Sequence, residues 1–344
     1  MRPRKAGEII KFAARDGLDL NLHHYAGDGA RKTEPVIVVH GAGVRANLFL
    51  PPVDETFVHA LIDADYDVWL LNWRASIDLP PNEWTLDDAA VHDHPAAVRT
   101  VLDRTGAKTL KAVIHCQGST SFMISAVAGL LPEVTTIVSN AVALHPLVPR
   151  LSWLKSRYAT STVGRFVKYL NPQWGLSAPR GWPTVIDWWV RSTHHECNNP
   201  VCKHSSFAYG AGFPTLWRHE NLDDATHEWL KGEFAHVPMT FFREMARSID
   251  AGHLVPTGKY PDVLPASFVG QAPKTQARFV FLGGELNDCF VPESQARTFD
   301  FFERYAPGRN AFYELAGYGH LDVFIGKNAA RDTFPLIIDE LRKG

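Results

Sequence analysis

Residues 110–119 read Leu-Lys-Ala-Val-Ile-His-Cys-Gln-Gly-Ser, and a helix-forming run follows them. The stretch holds a short apolar strand, a tight turn and a helix start, in that order. A strand-to-helix turn of this kind is where the G-x-Ser-x-G elbow presents a nucleophile. Cys116 occupies the nucleophile position and Gly118 the second glycine; Ile114 stands where the pattern has its first glycine. Ser119 is the rival nucleophile, but its flanks Gln117 and Ser121 fit less well and it lies a turn into the helix. A cysteine taken alone is as often a small buried hydrophobe as a reactive group. The rest of the chain decides between the two.

Working outward, strand and helix signals alternate. Apolar, β-branched runs occur at 36–39, 66–73, 112–115 and 136–139, with helical stretches at 89–103 and 121–131 between them. This alternation predicts an α/β fold, a mostly parallel sheet with helices on both faces. Residues 8–24 alternate apolar and polar around Asp16-Gly17, which predicts an antiparallel hairpin on the sheet edge. After Pro146 the pattern changes. Up to Tyr260 the chain is rich in histidine and aromatics, holds seven of the ten tryptophans and shows no strand–helix repeat. Strand signals return at 277–282 and 311–315, and an amphipathic helix is expected over 329–342. The economical division is a split core, 1–146 plus 261–344, with a cap inserted at 147–260.

The elbow acquires partners from this layout. In such a core the chain order is nucleophile, acid, histidine. Asp288 follows the strand at 277–282, with Glu285 as runner-up, and His320 follows the strand at 311–315 on a glycine-flanked loop. The order Cys116, Asp288, His320 satisfies the rule. Each residue alone has a plainer reading: Asp288 as a turn cap, His320 as one of 16 histidines. Their joint order and placement favour a triad in which the imidazole takes the thiol proton and the carboxylate orients the ring. A thiol at a helix N-terminus should be biased toward thiolate. The backbone N–H of Gln117, and that of Ala42 in His40-Gly-Ala-Gly43, are the expected oxyanion donors, each worth roughly 3–4 kcal/mol in the barrier.

These residues resemble the α/β-hydrolase superfamily over nearly the whole core. Within it they resemble the cysteine branch that includes polyhydroxyalkanoate synthases, on His115-Cys-Gln-Gly118, Asp67-Val-Trp-Leu-Leu-Asn-Trp73, Trp84-Thr-Leu-Asp-Asp88, Asn287-Asp-Cys-Phe-Val-Pro292 and Gly319-His-Leu-Asp-Val-Phe324. The cap, on 196–202 and 209–222, is similar instead to the hydrolase region associated with cholesterol-oxidase-like flavoproteins. The resemblance implies an acyl-Cys enzyme acting on an ester, thioester or lactone of a hydrophobic, acyl or sterol-like substrate. Acyl transfer, and a non-catalytic binding or companion role, are the alternatives.

Composition narrows the partners. A net charge of -2 on 344 residues gives no footprint for nucleic acid or anionic membrane. No apolar run of about 18 residues is present, so no membrane span is expected, and no signal-peptide core is seen. A free reactive thiol fits the cytoplasm. No G-x-G-x-x-G follows a strand, so no flavin or other cofactor is expected. Cys197 and Cys202, near His194, His195 and His204, invite a zinc reading, but C-x4-C lacks a second pair, and a polar cap loop with no metal is preferred. The oligomeric state stays open.

Overall fold

The computed structural model describes residues 7–26, 34–211 and 214–344. The described residues form ten strands: β1 Glu8–Ala13, β2 Asp19–Tyr25, β3 Pro35–Val39, β4 Asp67–Asn72, β5 Leu110–His115, β6 Val134–Asn140, β7 Tyr169–Leu170, β8 Val237–Pro238, β9 Arg278–Gly284 and β10 Ala311–Leu315. Eight form one sheet in the order β1-β2-β4-β3-β5-β6-β9-β10, and β7 pairs with β8 apart from it. From β4 to β10 all neighbours in the large sheet are parallel. The β1–β2 hairpin lies on the edge, antiparallel within itself and to β4.

Burial on both faces explains the strand composition. Val36, Ile37, Val38 and Val39 of β3 are wholly buried, as are all six residues of β5. A central parallel strand covered by helices on each side has no solvent face and so reads as a continuous apolar run. The chain leaves β3 for β4 on one side and returns to β5 on the other. The crevice beyond the carboxyl ends of β3 and β5 is thus a switch point, where open α/β sheets bind ligands. The segment His40–Gly43 and Cys116 both emerge there.

Several helix limits differ from the sequence reading. The helix expected from residue 89 begins at Leu86, because Thr85 and Asp88 form a reciprocal capping box. It then passes through a π turn at Ala89–Asp93 into His94–Thr105. The helix expected from 121 begins at Cys116 and ends at Val127, so the cysteine is its first residue. The closing helix breaks at Thr333 into Ala329–Asp332 and Phe334–Arg342; Pro335, which has no N–H, sits in the first turn of the second piece.

Between β6 and β9 no described residue joins the large sheet. This stretch carries the helices Arg150–Val163, Trp182–Thr193, Pro200–Tyr209, Asp224–Trp229 and Met239–Ala251. Its tryptophans divide. Trp217 is fully buried, whereas Trp182, Trp188 and Trp189 are about half or more exposed. No described helix is long and apolar enough to cross a membrane.

Candidate active site

Cys116 adopts φ +55°, one of three described non-glycine residues with positive φ. Such a conformation is costly and persists only where the surroundings impose it. Here β5 and the Cys116–Val127 helix meet without a linking residue, so the turn falls on the cysteine itself. Glycines make the approach possible. A Cβ on Gly118 would stand 2.2 Å from the His40 carbonyl oxygen, and one on Gly41 would stand 2.9 Å from the Cys116 Cβ. Ile114, in the place of the pattern's first glycine, packs fully buried within β5 and does not prevent the turn.

The sulfur faces two backbone donors. The N–H groups of Gln117 and Ala42 both address Sγ and favour its ionised form. Burial overrides them and pushes the thiol up to about 12. The thiolate expected from the helix terminus is therefore not the resting state: in this dry setting the desolvation of a full charge exceeds what a helix end and two dipoles return.

His320 is buried, and its ring meets the His115 ring edge-on, with centroids 4.8 Å apart. The Cys116 sulfur and one ring nitrogen each from His115 and His320 lie within 4.8 Å of one another. Burial lowers the His320 imidazole to about 3, so it is neutral. The Asn140 amide, at the end of β6, donates to the His320 carbonyl (3.2 Å) and to His115 Nδ1 (2.9 Å). Nδ1 of His115 is thus an acceptor.

The acid is not assembled with these two. Neither ring nitrogen of His320 has a hydrogen-bond partner among the described residues. The Asp288 side chain is about half exposed and faces Arg218, Nη1 to Oδ2 3.8 Å. Partial burial raises its carboxyl, and Arg218 opposes this. The direct Asp288–His320 contact expected from the chain order is absent; the Asp288 carboxylate faces Arg218 instead. The runner-up Glu285 accepts the Gly317 N–H at 2.8 Å and so ties two loops together. The rival Ser119 is buried with its hydroxyl on Ser139 Oγ at 2.6 Å.

Residues between β6 and β9 hold the loop that carries Ala42. The Tyr209 hydroxyl donates to the Ala42 carbonyl at 2.7 Å. Arg45 and Asn47 both donate to the Glu233 carboxylate, and Ala235 N–H donates to the Gly43 carbonyl. Tyr209, Arg218 and Glu233 lie in a segment without periodic pattern, so no sequence signal marks them. His115 and Asn140 end strands β5 and β6 next to the elbow, and that position is the one signal that marks them.

A cavity of about 740 Å³ opens beside Gln117. Its walls are apolar and aromatic, including Phe166, Trp182, Trp189, Phe241, Phe242 and Phe290, with Cys289 near the elbow. Among the described residues, Lys155 is the one lysine or arginine in the wall. Burial lowers its ammonium to about 7, and it donates to the carbonyls of Phe207 and Gly210. Farther along the cap, the Cys197 and Cys202 sulfurs do not face the histidines next to them in sequence. His204 pairs with Asp187, His195 bonds the Ser192 carbonyl and His194 bonds Thr193. The sulfurs face His219 and His227.

No family model matches the chain. Among curated proteins, a 165-residue stretch is 26% identical to sterol esterase 2 of Saccharomyces cerevisiae, covering 40% of this chain and 31% of that protein. A 158-residue stretch is 33% identical to human lipase member K, covering 41% of this chain and 39% of that protein. The chain spans about a third of the length of these relatives. Among solved structures, a monoacylglycerol lipase of Paleococcus ferrophilus superposes with a TM-score of 0.57 over 94% of this chain and 98% of its own, at 13% identity. A thermophilic esterase of Thermogutta terrifontis superposes at 0.55 over 98% of both chains, also at 13% identity. With the sheet order and the elbow described above, the fold is that of the α/β-hydrolase superfamily.

Proposed function

We propose that this protein is a cysteine-dependent esterase that cleaves esters of bulky hydrophobic substrates through an acyl-Cys116 intermediate. The observation that carries this reading is the convergence on one sulfur. Cys116 sits on a positive-φ elbow, with the Gln117 and Ala42 N–H groups on Sγ and the neutral His320 imidazole within 4.8 Å. A nucleophile, a base and two donors at such spacing are the parts that acyl transfer requires.

The protonation states set the order of events. A neutral thiol beside a neutral imidazole reacts by general-base catalysis, not as a preformed ion pair. The Cys116 proton passes to His320 as sulfur attacks the ester carbonyl carbon, and the carbonyl oxygen becomes an oxyanion between the two N–H groups. Collapse breaks the bond to the alkoxy oxygen, which takes the proton from His320 and leaves as the alcohol. Water then attacks the thioester and gives its proton to His320. The second tetrahedral intermediate returns the thiol and releases the acid. Asp288 acts here as an orienting carboxylate that leaves Arg218 when substrate fills the cavity and His320 takes up charge.

The substrate class follows from the cavity. Its apolar walls suit an acyl chain or a sterol-like body, and the likeness to a sterol esterase and to lipases points the same way. Incubation with p-nitrophenyl esters of increasing chain length should give turnover that rises toward long chains. Intact mass after brief exposure should show a single acyl adduct that Cys116→Ala abolishes. Full turnover in Cys116→Ala would refute the nucleophile. Adduct without hydrolysis until an alcohol, amine or thiol is added would make the protein an acyltransferase, and neither adduct nor turnover would leave it a binding protein.

A further inference from the structure

Four side chains in the cap come together from positions scattered over 31 residues. Cys197, Cys202, His219 and His227 each present one ligand atom within 4.8 Å of all the others. Cys202 Sγ lies 3.4 Å from His219 Nε2, and the two imidazole rings stand 4.8 Å apart at 72°. Tetrahedral zinc, with bonds of about 2.3 Å to sulfur and 2.0–2.1 Å to nitrogen, separates its ligands by roughly 3.3–3.8 Å. The cluster is close to that spacing. Both sulfurs are free thiols, so no disulfide accounts for their approach.

Unpartnered polar atoms surround the same centre. His227 Nε2 is a buried ring nitrogen with no partner among the described residues. The Trp217 indole N–H, beside the Cys202 sulfur, likewise has no hydrogen-bond partner in that set. Asn199 fixes both ends of the cluster. Its side-chain Oδ1 accepts the N–H of Val201 and Cys202, and its side-chain amide donates to the His227 carbonyl at 2.6 Å. Outer contacts of this type hold ligands in register. Two thiolates and two imidazoles with no oxygen donor suit zinc and exclude magnesium and calcium by ligand softness.

We propose that Cys197, Cys202, His219 and His227 form a structural zinc(II) site. Binding replaces the two thiol protons, which go to solvent, and leaves a site of no net charge with no position open for water. This proposal departs from the metal-free cap loop expected from C-x4-C and the adjacent histidines, because His219 and His227 reach the sulfurs from beyond that loop. The site also has a mechanical role. His219 belongs to the strap 216–222, which grips the His320 loop from both sides. Leu321 N–H donates to the Leu216 carbonyl (2.9 Å), and the Asn221 amide donates to Gly317 O (2.8 Å) and to Asp322 Oδ2 (2.5 Å). Zinc pins this strap to the start of the Pro200–Tyr209 helix.

The test is made on the full chain, untagged and purified under reduction without chelator. Plasma mass spectrometry should find one equivalent of zinc, retained in Cys116→Ala and lost in Cys202→Ser and His227→Gln. Cobalt(II) exchanged into the wild-type chain reads the geometry without any variant. Thiolate-to-cobalt charge transfer in the near ultraviolet and strong visible bands should appear, as tetrahedral thiolate ligation requires. Removal of zinc by a chelator should lower the melting temperature, and added zinc should restore it. Absence of stoichiometric zinc and of cobalt binding would overturn the proposal. So would cobalt bound without thiolate charge transfer, zinc retained in Cys202→Ser, or a native mass two hydrogens light from a Cys197–Cys202 disulfide.

Discussion

Alkylation of Cys116 by iodoacetamide and ester turnover are expected to respond to pH in different ways. Burial holds the thiol up at about 12 and the His320 imidazole down at about 3. At pH 7 the thiolate fraction is then on the order of 10⁻⁵, against a few per cent for an unperturbed cysteine. Iodoacetamide reacts with the thiolate, so alkylation at Cys116 should be roughly 10³-fold slower than that of free cysteine and rise tenfold per pH unit up to about pH 9. Turnover needs the opposite pair of states, a protonated thiol and a neutral imidazole. Both dominate between the two values, so kcat/KM, which reports the free enzyme, should be flat from about pH 5 to pH 9. The alkylation rate must be read on the peptide that carries Cys116, because three other free thiols compete. An alkylation rate that levels off below pH 7 at or above the free-cysteine value would mean a thiolate–imidazolium pair. It would refute the general-base reading.

Four further outcomes follow from other contacts. Gly118→Ala should gain about 1 kcal/mol of helix propensity but lose more than that by forcing a methyl to within 2.2 Å of the His40 carbonyl; urea melts at wild-type midpoint would contradict the closed turn. Glu244 is buried with its carboxyl raised to about 8 and accepts the Leu86 N–H; its stabilising neutral form is fully present below the ordinary value near 4.5 and lost as pH rises through 8. Glu244→Gln keeps the acceptor and should flatten that decline, recovering about 5 kcal/mol at most above pH 8, and an unchanged slope in urea midpoints would count against it. The buried His40, His94 and His320 are lowered to about 4, 3 and 3, so their stabilisation is present above pH 6.5 and should be lost as pH falls toward 3; a melting temperature constant down to pH 4 would contradict this. Asp288→Asn should cut kcat by roughly 10²–10⁴-fold and leave the melting temperature unchanged, because its carboxylate is half exposed, and full activity would remove Asp288 from the site.

What the sequence reveals of this protein is what lies within a few residues. The apolar run of β3 and the alternation around Asp16-Gly17 each carry their own structural signal, and the strands form where those signals lie. The elbow is legible for the same reason: strand, cysteine and Gly118 are contiguous. The ionisation of Cys116 is not, because burial supplied by other segments reverses the sign that the helix terminus suggests. The direction of the Asp288 side chain depends on Arg218, seventy residues earlier in the chain. The sulfur–histidine cluster is not legible either, since His219 and His227 follow Cys202 by 17 and 25 residues in no recognised spacing.

These non-local contacts tie both halves of the candidate site to the segment between β6 and β9. Tyr209, Glu233 and Ala235 hold the loop that carries the Ala42 donor. Leu216 and Asn221 hold the loop that carries His320. The sheet supplies only the elbow and the strand ends. On the proposed function, a segment joined in this way helps to frame the reacting groups as well as to wall the cavity. Its sequence is constrained at the contact points and freer along the apolar lining, where Trp182 and Trp189 stand half exposed at the cavity wall. Exchange of lining residues should therefore shift the preferred chain length while leaving the chemistry intact, whereas loss of a single strap contact should lower turnover for every substrate alike.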